Sequence, residues 1–263
     1  MRSVDDPPLG ALSLAPHGRA VVELESPCGI ERFARDSRVR LVEESLAVHV
    51  HGVLSPSHAR AWTDRVLAAR ADYTHAFGTQ ASLGVAWYTH LEEGHARAYF
   101  ASAKASDACV RRHVPGLQAT LLRVVSELLG VKVEPRPGYA GPGVHVFEPH
   151  GACAKHGGEV HFDTEGLPEP HVRARGAAYT AVLALSQVEG GGGLRLWDLP
   201  FDGYEDPALA RLCEPTCVSY TPGDVVLFES YRLHQIEPFT GDTPRVSATC
   251  HVARLSGRYV AWF

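Results

Sequence analysis

Two histidines and an aspartate in the second half of the chain have the residue types and the spacing of metal ligands. His161 and Asp163 lie two residues apart at the end of a predicted strand, where side chains at alternate positions project from the same face. His234 follows about seventy residues later, just after the predicted strand 225–228. Two neutral imidazoles and one carboxylate can bind one metal ion and leave three of its coordination positions open.

An arginine and a serine beyond these residues have the chemistry to bind a carboxylate. Ten residues separate His234 from Arg245, and Ser247 lies two positions further along the same predicted strand. A guanidinium can form two parallel hydrogen bonds to a carboxylate, and a serine hydroxyl on the same face adds a donor. Tyr179 and Thr180 are adjacent on another predicted core strand, so the register of that strand decides which of them faces the same site.

The combined pattern resembles that of the Fe(II)/2-oxoglutarate-dependent dioxygenases. Members of this family have a histidine, any residue and an acid, then a distant histidine, and then an arginine about ten residues later that is often followed by any residue and a serine. Two further segments are similar to family features. The segment 189–194 resembles the glycine hairpin between core strands, and 222–228 resembles the turn and strand that precede the second histidine. The resemblance covers roughly residues 143–255.

The resemblance implies a role for each of these residues. It implies that His161, Asp163 and His234 bind Fe(II), that 2-oxoglutarate chelates the iron through its 2-oxo group and C1 carboxylate, and that O2 takes the remaining position. Arg245 is expected to pair with the distal carboxylate of 2-oxoglutarate, assisted by Ser247 and by one of the two core-strand residues. The protein is expected to supply orientation and a dry pocket, while the oxidising power comes from the iron and the cosubstrate.

The same resemblance implies the type of reaction. Oxidative decarboxylation of 2-oxoglutarate gives succinate and CO2 and is coupled to oxidation of an unactivated C–H bond. Halogenating relatives have a small residue in place of the acid, so Asp163 predicts a hydroxylase rather than a halogenase. Desaturation, ring closure and epimerisation use the same three ligands and stay open.

The order of the predicted elements favours an α+β fold. Residues 1–37 are predicted to form an irregular arm, followed by a strand over 46–54 and by helices over 56–73, 98–113 and 117–129. Beyond residue 143, short apolar runs separated by turn residues predict strands over 144–147, 159–162, 177–185, 194–197, 225–228 and 246–253. Together with the resemblance, this predicts a double-stranded β-helix (a jelly-roll, cupin-like core) over 143–263. The arm, strand and helices of 1–142 are expected to pack outside it, within one integrated domain.

Composition limits the partners and the location. The 263 residues carry a formal net charge of −5, which argues against nucleic acid as the main partner. There is no run of about 18 apolar residues, so no membrane span is expected. The polar start Met1–Pro8 lacks the apolar core of a signal peptide, so we expect a cytoplasmic protein whose six cysteines are reduced. The oligomeric state is left open.

Two alternatives to the hydroxylase remain at this stage. The leading interpretation is an oxygenase that acts on a small molecule, such as an amino acid derivative or a natural-product intermediate, because the sequence has no attached carrier or nucleic-acid-binding module. The first alternative is a non-catalytic jelly-roll binding protein. The second is a cupin-type metalloenzyme that uses no 2-oxoglutarate. Arg245 and Ser247 discriminate between these, because an enzyme without a dicarboxylate cosubstrate has no need of a carboxylate-binding arginine at that spacing.

The other histidines carry weaker expectations. The chain has 15 histidines in total. His49 and His51 share a strand face like a metal-binding pair, but no acid or third ligand follows them at a convincing spacing. His145, His150 and His156 precede the predicted triad in a predicted loop near the mouth of the site, so one of them is a candidate for substrate contact.

Overall fold

The computed structural model describes residues 18–75, 80–92, 94–203 and 206–263. Residues 1–17 of the predicted arm 1–37 lie outside the described residues. The rest of the arm is not wholly irregular as predicted, because Val21–Leu24 form a strand. The α-helices are α1 Arg38–Glu44, α2 Pro56–Ala68, α3 Trp87–Glu92, α4 Ala96–His113, α5 Leu117–Leu129, α6 Ala152–His156 and α7 Glu169–Arg173. Short 3₁₀ turns cover Pro27–Arg32, Arg35–Ser37, Arg70–Asp72 and Pro207–Arg211.

The strands occupy both halves of the chain. They are β1 Val21–Leu24, β2 Ala47–Val50, β3 Thr74–His75, β4 Gln80–Leu83, β5 Val133–Pro135, β6 Gly143–Phe147, β7 Ala178–Ala184, β8 Gly190–Gly191, β9 Leu194–Pro200, β10 Thr216–Val218, β11 Val225–Glu229, β12 Arg232–Ile236, β13 Phe239–Thr240, β14 Arg245–Leu255 and β15 Arg258–Trp262.

Two facing sheets form the core. The large sheet has the order β1-β2-β11-β7-β14-β6-β4-β3, with β15 and then β5 attached beside β14. The small sheet has the order β10-β9-β12. Side chains of β9 and β10 pack against those of β7 and β11 in one apolar cluster, so the two sheets lie face to face. This arrangement confirms the predicted jelly-roll core and the α+β class.

Strand alternation sorts side chains between two environments. On β14, Val246, Ala248 and Cys250 pack into the apolar layer that also contains the inner faces of α2, α4 and α5. Ser247 and His251, at the alternate positions, face the small sheet and line a cavity. The same alternation runs through β6, β7 and β11, because successive side chains of a strand point to opposite faces. The large sheet therefore has an apolar face under the helices and a mixed face, with polar and apolar side chains, over the cavity.

The helical layer follows the predicted pattern with small shifts. Helix α2 begins at Pro56, and the hydroxyl of Ser55 accepts a hydrogen bond from the backbone N–H of His58, which caps the helix. Helix α5 coincides with the predicted helix 117–129 and ends at Gly130, whose φ of 68° lies in the left-handed region that glycine tolerates. The predicted helix 56–73 ends earlier, at Ala68, and a 3₁₀ turn follows it. None of the helices in the described segments is long and apolar enough to cross a membrane.

Two of the predicted strands are shorter in the structure. Strand β2 covers only Ala47–Val50 of the predicted 46–54, because the chain turns at His51–Leu54 before the cap of α2. The predicted strand 159–162 is reduced to one bridge, in which His161 and His234 exchange both backbone hydrogen bonds. The segment nevertheless runs along β12, since the backbone N–H of Gly158 also donates to Ile236. That pairing brings the two halves of the predicted triad together.

Candidate metal centre and carboxylate site

The three predicted metal ligands converge at one point of the cavity. The Nε2 atoms of His161 and His234 lie 3.4 Å and 3.3 Å from the carboxylate oxygens of Asp163. One ligand atom from each of the three residues lies within 4.8 Å of the other two. His161 and Asp163 come from the segment beside β12, and His234 comes from β12 itself, so their convergence follows from the bridge between His161 and His234.

Backbone carbonyl groups orient both imidazoles. Nδ1 of His161 donates to the carbonyl of Glu159 at 2.8 Å, and Nδ1 of His234 donates to the carbonyl of Arg232 at 2.9 Å. A neutral imidazole has one N–H, so these bonds leave the lone pair on each Nε2, the atom that faces Asp163. Metal-binding histidines in proteins are held in this way.

The carboxylate of Asp163 is fixed by its surroundings. The hydroxyl of Thr180 donates to Oδ2 of Asp163 at 2.5 Å, and Thr180 also lies 3.0 Å from the hydroxyl of Ser230. Nδ1 of His251 lies 3.8 Å from the same carboxylate oxygen. Burial raises the pKa of Asp163, but attraction to His234 and His251 and the contacts with His161 and His234 outweigh burial and hold this pKa well below its usual range. Asp163 is therefore an anion.

The donor set fits a divalent transition metal. Two atoms that each lie about 2.1 Å from one ion, at an angle of about 90–110°, are about 3.0–3.4 Å apart. The two Nε2-to-carboxylate distances in the cluster are in that range. Burial lowers the pKa of His161, but the hydrogen bond and charge of Asp163 outweigh burial and raise it to about 9.

Arg245 lies in the same cavity, where neighbouring oxygen atoms hold its guanidinium in place. Its side chain is buried, and Nε donates to the carbonyl of Gly192 at 2.8 Å while a terminal nitrogen donates to the hydroxyl of Ser247 at 3.1 Å. The other terminal nitrogen donates to the hydroxyl of Tyr220. Each terminal nitrogen carries a second N–H, and among the described residues none of these contacts uses it. Two N–H donors of the guanidinium thus remain for a ligand.

The glycine run at 190–193 allows this approach. Gly191 has a φ of 68°, and a Cβ atom there would lie 2.0 Å from the carbonyl oxygen of Pro238, which no side chain could tolerate. Gly192 also has a positive φ, and its carbonyl accepts the bond from Arg245. The hairpin predicted from the glycine run therefore positions the guanidinium through the backbone.

The register of β7 separates Tyr179 from Thr180. Thr180 pairs with His251 of β14 and lines the cavity beside Asp163. Tyr179 points to the opposite face, where its hydroxyl donates to Glu43 of α1 at 2.9 Å within the helical layer. The structure therefore does not bring Tyr179, one of the two candidate cosubstrate contacts, to the site, and Thr180 is the one that faces the cavity. Thr180 is next to the predicted metal position rather than next to Arg245.

Several cavity residues were missed by the sequence analysis. His251 was treated as an ordinary histidine, although it shares the strand parity of Ser247 and reaches Asp163. Tyr88 was not singled out either, yet it lines the cavity and accepts a hydrogen bond from Gln80. Parity along β14 was the available signal for His251. No local signal identified Tyr88, whose position depends on the pairing of β4 with β6.

Of the three histidines upstream of the triad, only His145 lines the cavity. It lies on β6 rather than in a loop, and its Nδ1 is 3.0 Å from the hydroxyl of Ser82 and 3.1 Å from the amide nitrogen of Gln80. Burial, and then the nearby charges of His251 and Arg245, lower the pKa of His145 to about 3, so its imidazole is neutral. His150 is exposed and contacts Asp242 instead.

The cavity that contains these groups has a volume of about 450 Å³. Its apolar wall includes Phe147, Val182, Leu194, Phe228 and Leu233, which come from both sheets. Among the described lining residues, Arg245 is the one Lys or Arg, whereas Glu159, Glu165 and Asp206 add three acids to the charge of Asp163. The volume is in the range of small-molecule sites.

Solved structures share this fold at low sequence identity. The epimerase SnoN, in complex with Fe3+, alpha ketoglutarate and nogalamycin RO, has a TM-score of 0.53 and 18% identity over 88% of each chain. An N-substituted L-amino acid dioxygenase from Burkholderia ambifaria AMMD has a TM-score of 0.54 and 15% identity, covering 90% of this chain and 91% of that chain. The carbocyclase SnoK from nogalamycin biosynthesis has a TM-score of 0.50 and 18% identity, covering 86% of this chain and 88% of that chain.

These likenesses define the fold class. The chain has the jelly-roll fold of the Fe(II)/2-oxoglutarate-dependent oxygenases, with the same extent as these proteins. No protein-family model matches the sequence, and no curated protein matches it.

Proposed function

We propose that this protein is an Fe(II)- and 2-oxoglutarate-dependent oxygenase that hydroxylates an unactivated C–H bond of a small molecule. One observation carries the proposal: two imidazoles and a carboxylate with the spacing of metal ligands share one cavity with a buried arginine that has two donors to spare. A metal site alone fits many enzymes, but the added carboxylate site fits a dicarboxylate cosubstrate.

Separate residues of the cavity bind the iron and the cosubstrate. His161, Asp163 and His234 hold Fe(II), and Arg245 with Ser247 binds the distal carboxylate of 2-oxoglutarate. Iron and 2-oxoglutarate, when bound, supply the oxidising power by consuming O2 and releasing succinate and CO2. The protein keeps both imidazoles as neutral ligands through the backbone carbonyl groups of Glu159 and Arg232.

Asp163 also bears on the choice between hydroxylation and halogenation. Its carboxylate occupies the third ligand position, and Thr180 holds it there with a hydrogen bond of 2.5 Å. A halide would need that position, so we assign hydroxylation to this chain. The apolar side chains of the cavity wall, among them Phe147 and Leu233, limit the access of water to the metal position. Excluding water limits side reactions there.

The charges of the cavity favour a neutral or cationic substrate. Fe(II) and the dianion of 2-oxoglutarate balance one another, and Arg245 balances Asp163. Glu159 and Asp206 then leave the lining negative. A negative lining attracts a protonated amine and repels a second anionic substrate. This supports an amine-bearing small molecule, in keeping with an amino acid derivative or a natural-product intermediate.

Epimerisation and ring closure form a second candidate function. The observation in their favour is that two of the similar structures are an epimerase and a carbocyclase with the same fold. Mass spectrometry of the product separates the possibilities. Hydroxylation adds one oxygen atom, ring closure removes two hydrogen atoms, and epimerisation leaves the mass unchanged.

Succinate formation tests the proposal before the substrate is known. Full-length protein, Fe(II), 2-oxoglutarate and air are combined, first alone and then with a panel of amines, and succinate is quantified. We expect succinate that depends on Fe(II) and is lost in His234→Ala, but is unchanged in His150→Ala, which replaces an exposed histidine outside the cavity. If no amine in the panel raises succinate above the His234→Ala level, the binding protein or the cosubstrate-free cupin-type enzyme becomes the better interpretation.

A further inference from the structure

A second cluster of metal-binding side chains lies at the edge of the large sheet. Glu23 on β1 is the register partner of His49 on β2, and His51 follows His49 by two positions. Asp224, in the turn before β11, faces the same two histidines. No acid follows His49 and His51 at a ligand spacing, but Glu23 of the neighbouring parallel strand β1 supplies a carboxylate beside them.

Asp224 is a fixed acceptor in this cluster. Its side chain is buried, and its carboxylate accepts hydrogen bonds from the backbone N–H groups of Gly52 at 2.9 Å and Thr221 at 3.0 Å. Nε2 of His49 lies 3.3 Å from Oδ2 of Asp224, and Nδ1 of His51 lies 3.2 Å from the same atom. A carboxylate accepts and does not donate, so each imidazole directs an N–H toward Asp224.

The remaining nitrogens of the two histidines both face Glu23. Nδ1 of His49 lies 2.8 Å from Oε2 of Glu23, and Nε2 of His51 lies 3.1 Å from it. A neutral imidazole whose N–H faces Asp224 has only a lone pair on its other nitrogen. In that state two lone pairs and a carboxylate meet at one point, so a proton or a metal cation must lie between them; with a proton there, the 3.1 Å contact of His51 with Glu23 is a hydrogen bond.

We propose that Glu23, His49 and His51 bind a divalent metal ion of the zinc type. Their ligand atoms lie within 4.8 Å of one another, and two imidazoles with a carboxylate form a common donor set for Zn²⁺. Asp224 orients both imidazoles, as the outer carboxylate does in carboxylate–histidine–zinc sites. The side chains of Glu23 and His51 are 49% and 38% exposed, so the ion has a path from solvent and a position for water.

The proposed metal site joins the edge strands β1 and β2 to the turn before β11, which lies next to Arg245. Its ligands lie on β1 and β2, while Asp224 belongs to the turn that begins at Thr221. Tyr220, the residue before that turn, accepts a hydrogen bond from Arg245. A metal ion at this edge would therefore stabilise the turn next to the carboxylate site. The proposal does not depend on the proposed function, because none of its ligands lines the catalytic cavity.

Metal counting in a variant without the triad tests the proposal. The full-length variant carrying both Asp163→Ala and His234→Ala is freed of metal, its folding is verified by circular dichroism, and Zn²⁺ is titrated in by calorimetry. We expect about one bound ion and a rise in melting temperature. Adding Glu23→Gln should weaken binding at least about tenfold, whereas Glu25→Gln, an exposed acid two residues further on, should leave it unchanged.

A second variant, His51→Ala, tests the proposed metal site in a chain that keeps the triad. His51→Ala in the otherwise unaltered chain should reduce the Zn²⁺ content by one ion, which avoids any dependence on the folding of the triad variant. The proposal is overturned if the triad variant binds no Zn²⁺, which would mean that protons neutralise the cluster. It is equally overturned if Glu23→Gln binds Zn²⁺ as tightly as Glu25→Gln does.

Discussion

Arg245 is the residue whose replacement should separate cosubstrate binding from metal binding. In the structure it contacts Gly192, Ser247 and Tyr220 and contacts none of the three proposed iron ligands. Arg245→Gln replaces the guanidinium with a shorter, uncharged polar side chain. We expect this variant to bind Fe(II) normally and to bind 2-oxoglutarate much more weakly.

The size of the effect follows from the two N–H groups that Arg245 has left for a ligand. A hydrogen bond to a charged group contributes about 1.5–3 kcal/mol, so two of them contribute about 3–6 kcal/mol. The glutamine amide can restore one neutral hydrogen bond, worth about 1 kcal/mol. A net loss of about 2–5 kcal/mol corresponds to an increase of about 30- to 4,000-fold in the Kd of 2-oxoglutarate.

The assay is equilibrium binding without O2. Fe(II) affinity is measured first, and 2-oxoglutarate is then titrated into the iron-loaded protein by calorimetry. Arg254→Gln is the matched control, because Arg254 lies on the same strand, β14, but is exposed. The reasoning is refuted if Arg245→Gln weakens Fe(II) and 2-oxoglutarate binding equally in a protein that melts normally. An increase below about fivefold in the Kd of 2-oxoglutarate would refute it as well.

Three further predictions rest on single contacts. Thr180→Val removes the hydrogen bond to Asp163 and should weaken Fe(II) binding about 10- to 100-fold, measured by competition with a chelator, whereas Thr180→Ser should retain it. Burial raises the pKa of the Cys250 thiol to about 12, so iodoacetamide at pH 8 should label the exposed Cys213 and leave Cys250 unlabelled in the native protein, as peptide mass spectrometry would show. Burial also raises the pKa of Tyr73 to about 12; because the unfolded chain loses this proton first, stability should fall above pH 10, and less steeply in Tyr73→Phe, as measured by denaturant unfolding.

The predictable part of the fold is the part set by local pattern. The periodicity of 117–129 and the glycine that follows it predicted α5 to the residue, because an amphipathic stripe and a left-handed terminus are both local signals. The glycine run and the turn at 222–224 predicted strand boundaries for the same reason. The strands β1 and β4 escaped prediction, since each is four residues long and is stabilised by pairing with a distant strand.

In the candidate site, too, the residues set by local spacing could be predicted, and those set by strand pairing could not. His161 and Asp163 could be paired from an i, i+2 spacing, and Arg245 with Ser247 likewise, because each pair lies within one short segment of the chain. The choice between Tyr179 and Thr180 depended on the register of β7, which pairing with β11 and β14 decides. Contacts between separate segments, such as that of Glu23 with His49, leave no trace in the local sequence.

The triad and Arg245 should bind iron and 2-oxoglutarate together in one cavity, and an anaerobic spectroscopic titration measures this. Protein loaded with Fe(II) is titrated with 2-oxoglutarate without O2, and the visible spectrum is recorded. We expect a weak charge-transfer band that needs both additions, is lost in Asp163→Ala and in His234→Ala, and needs far more 2-oxoglutarate in Arg245→Gln. A spectrum that shows no band in the unaltered protein, or a band that persists in both triad variants, would show that these residues do not bind iron and 2-oxoglutarate together.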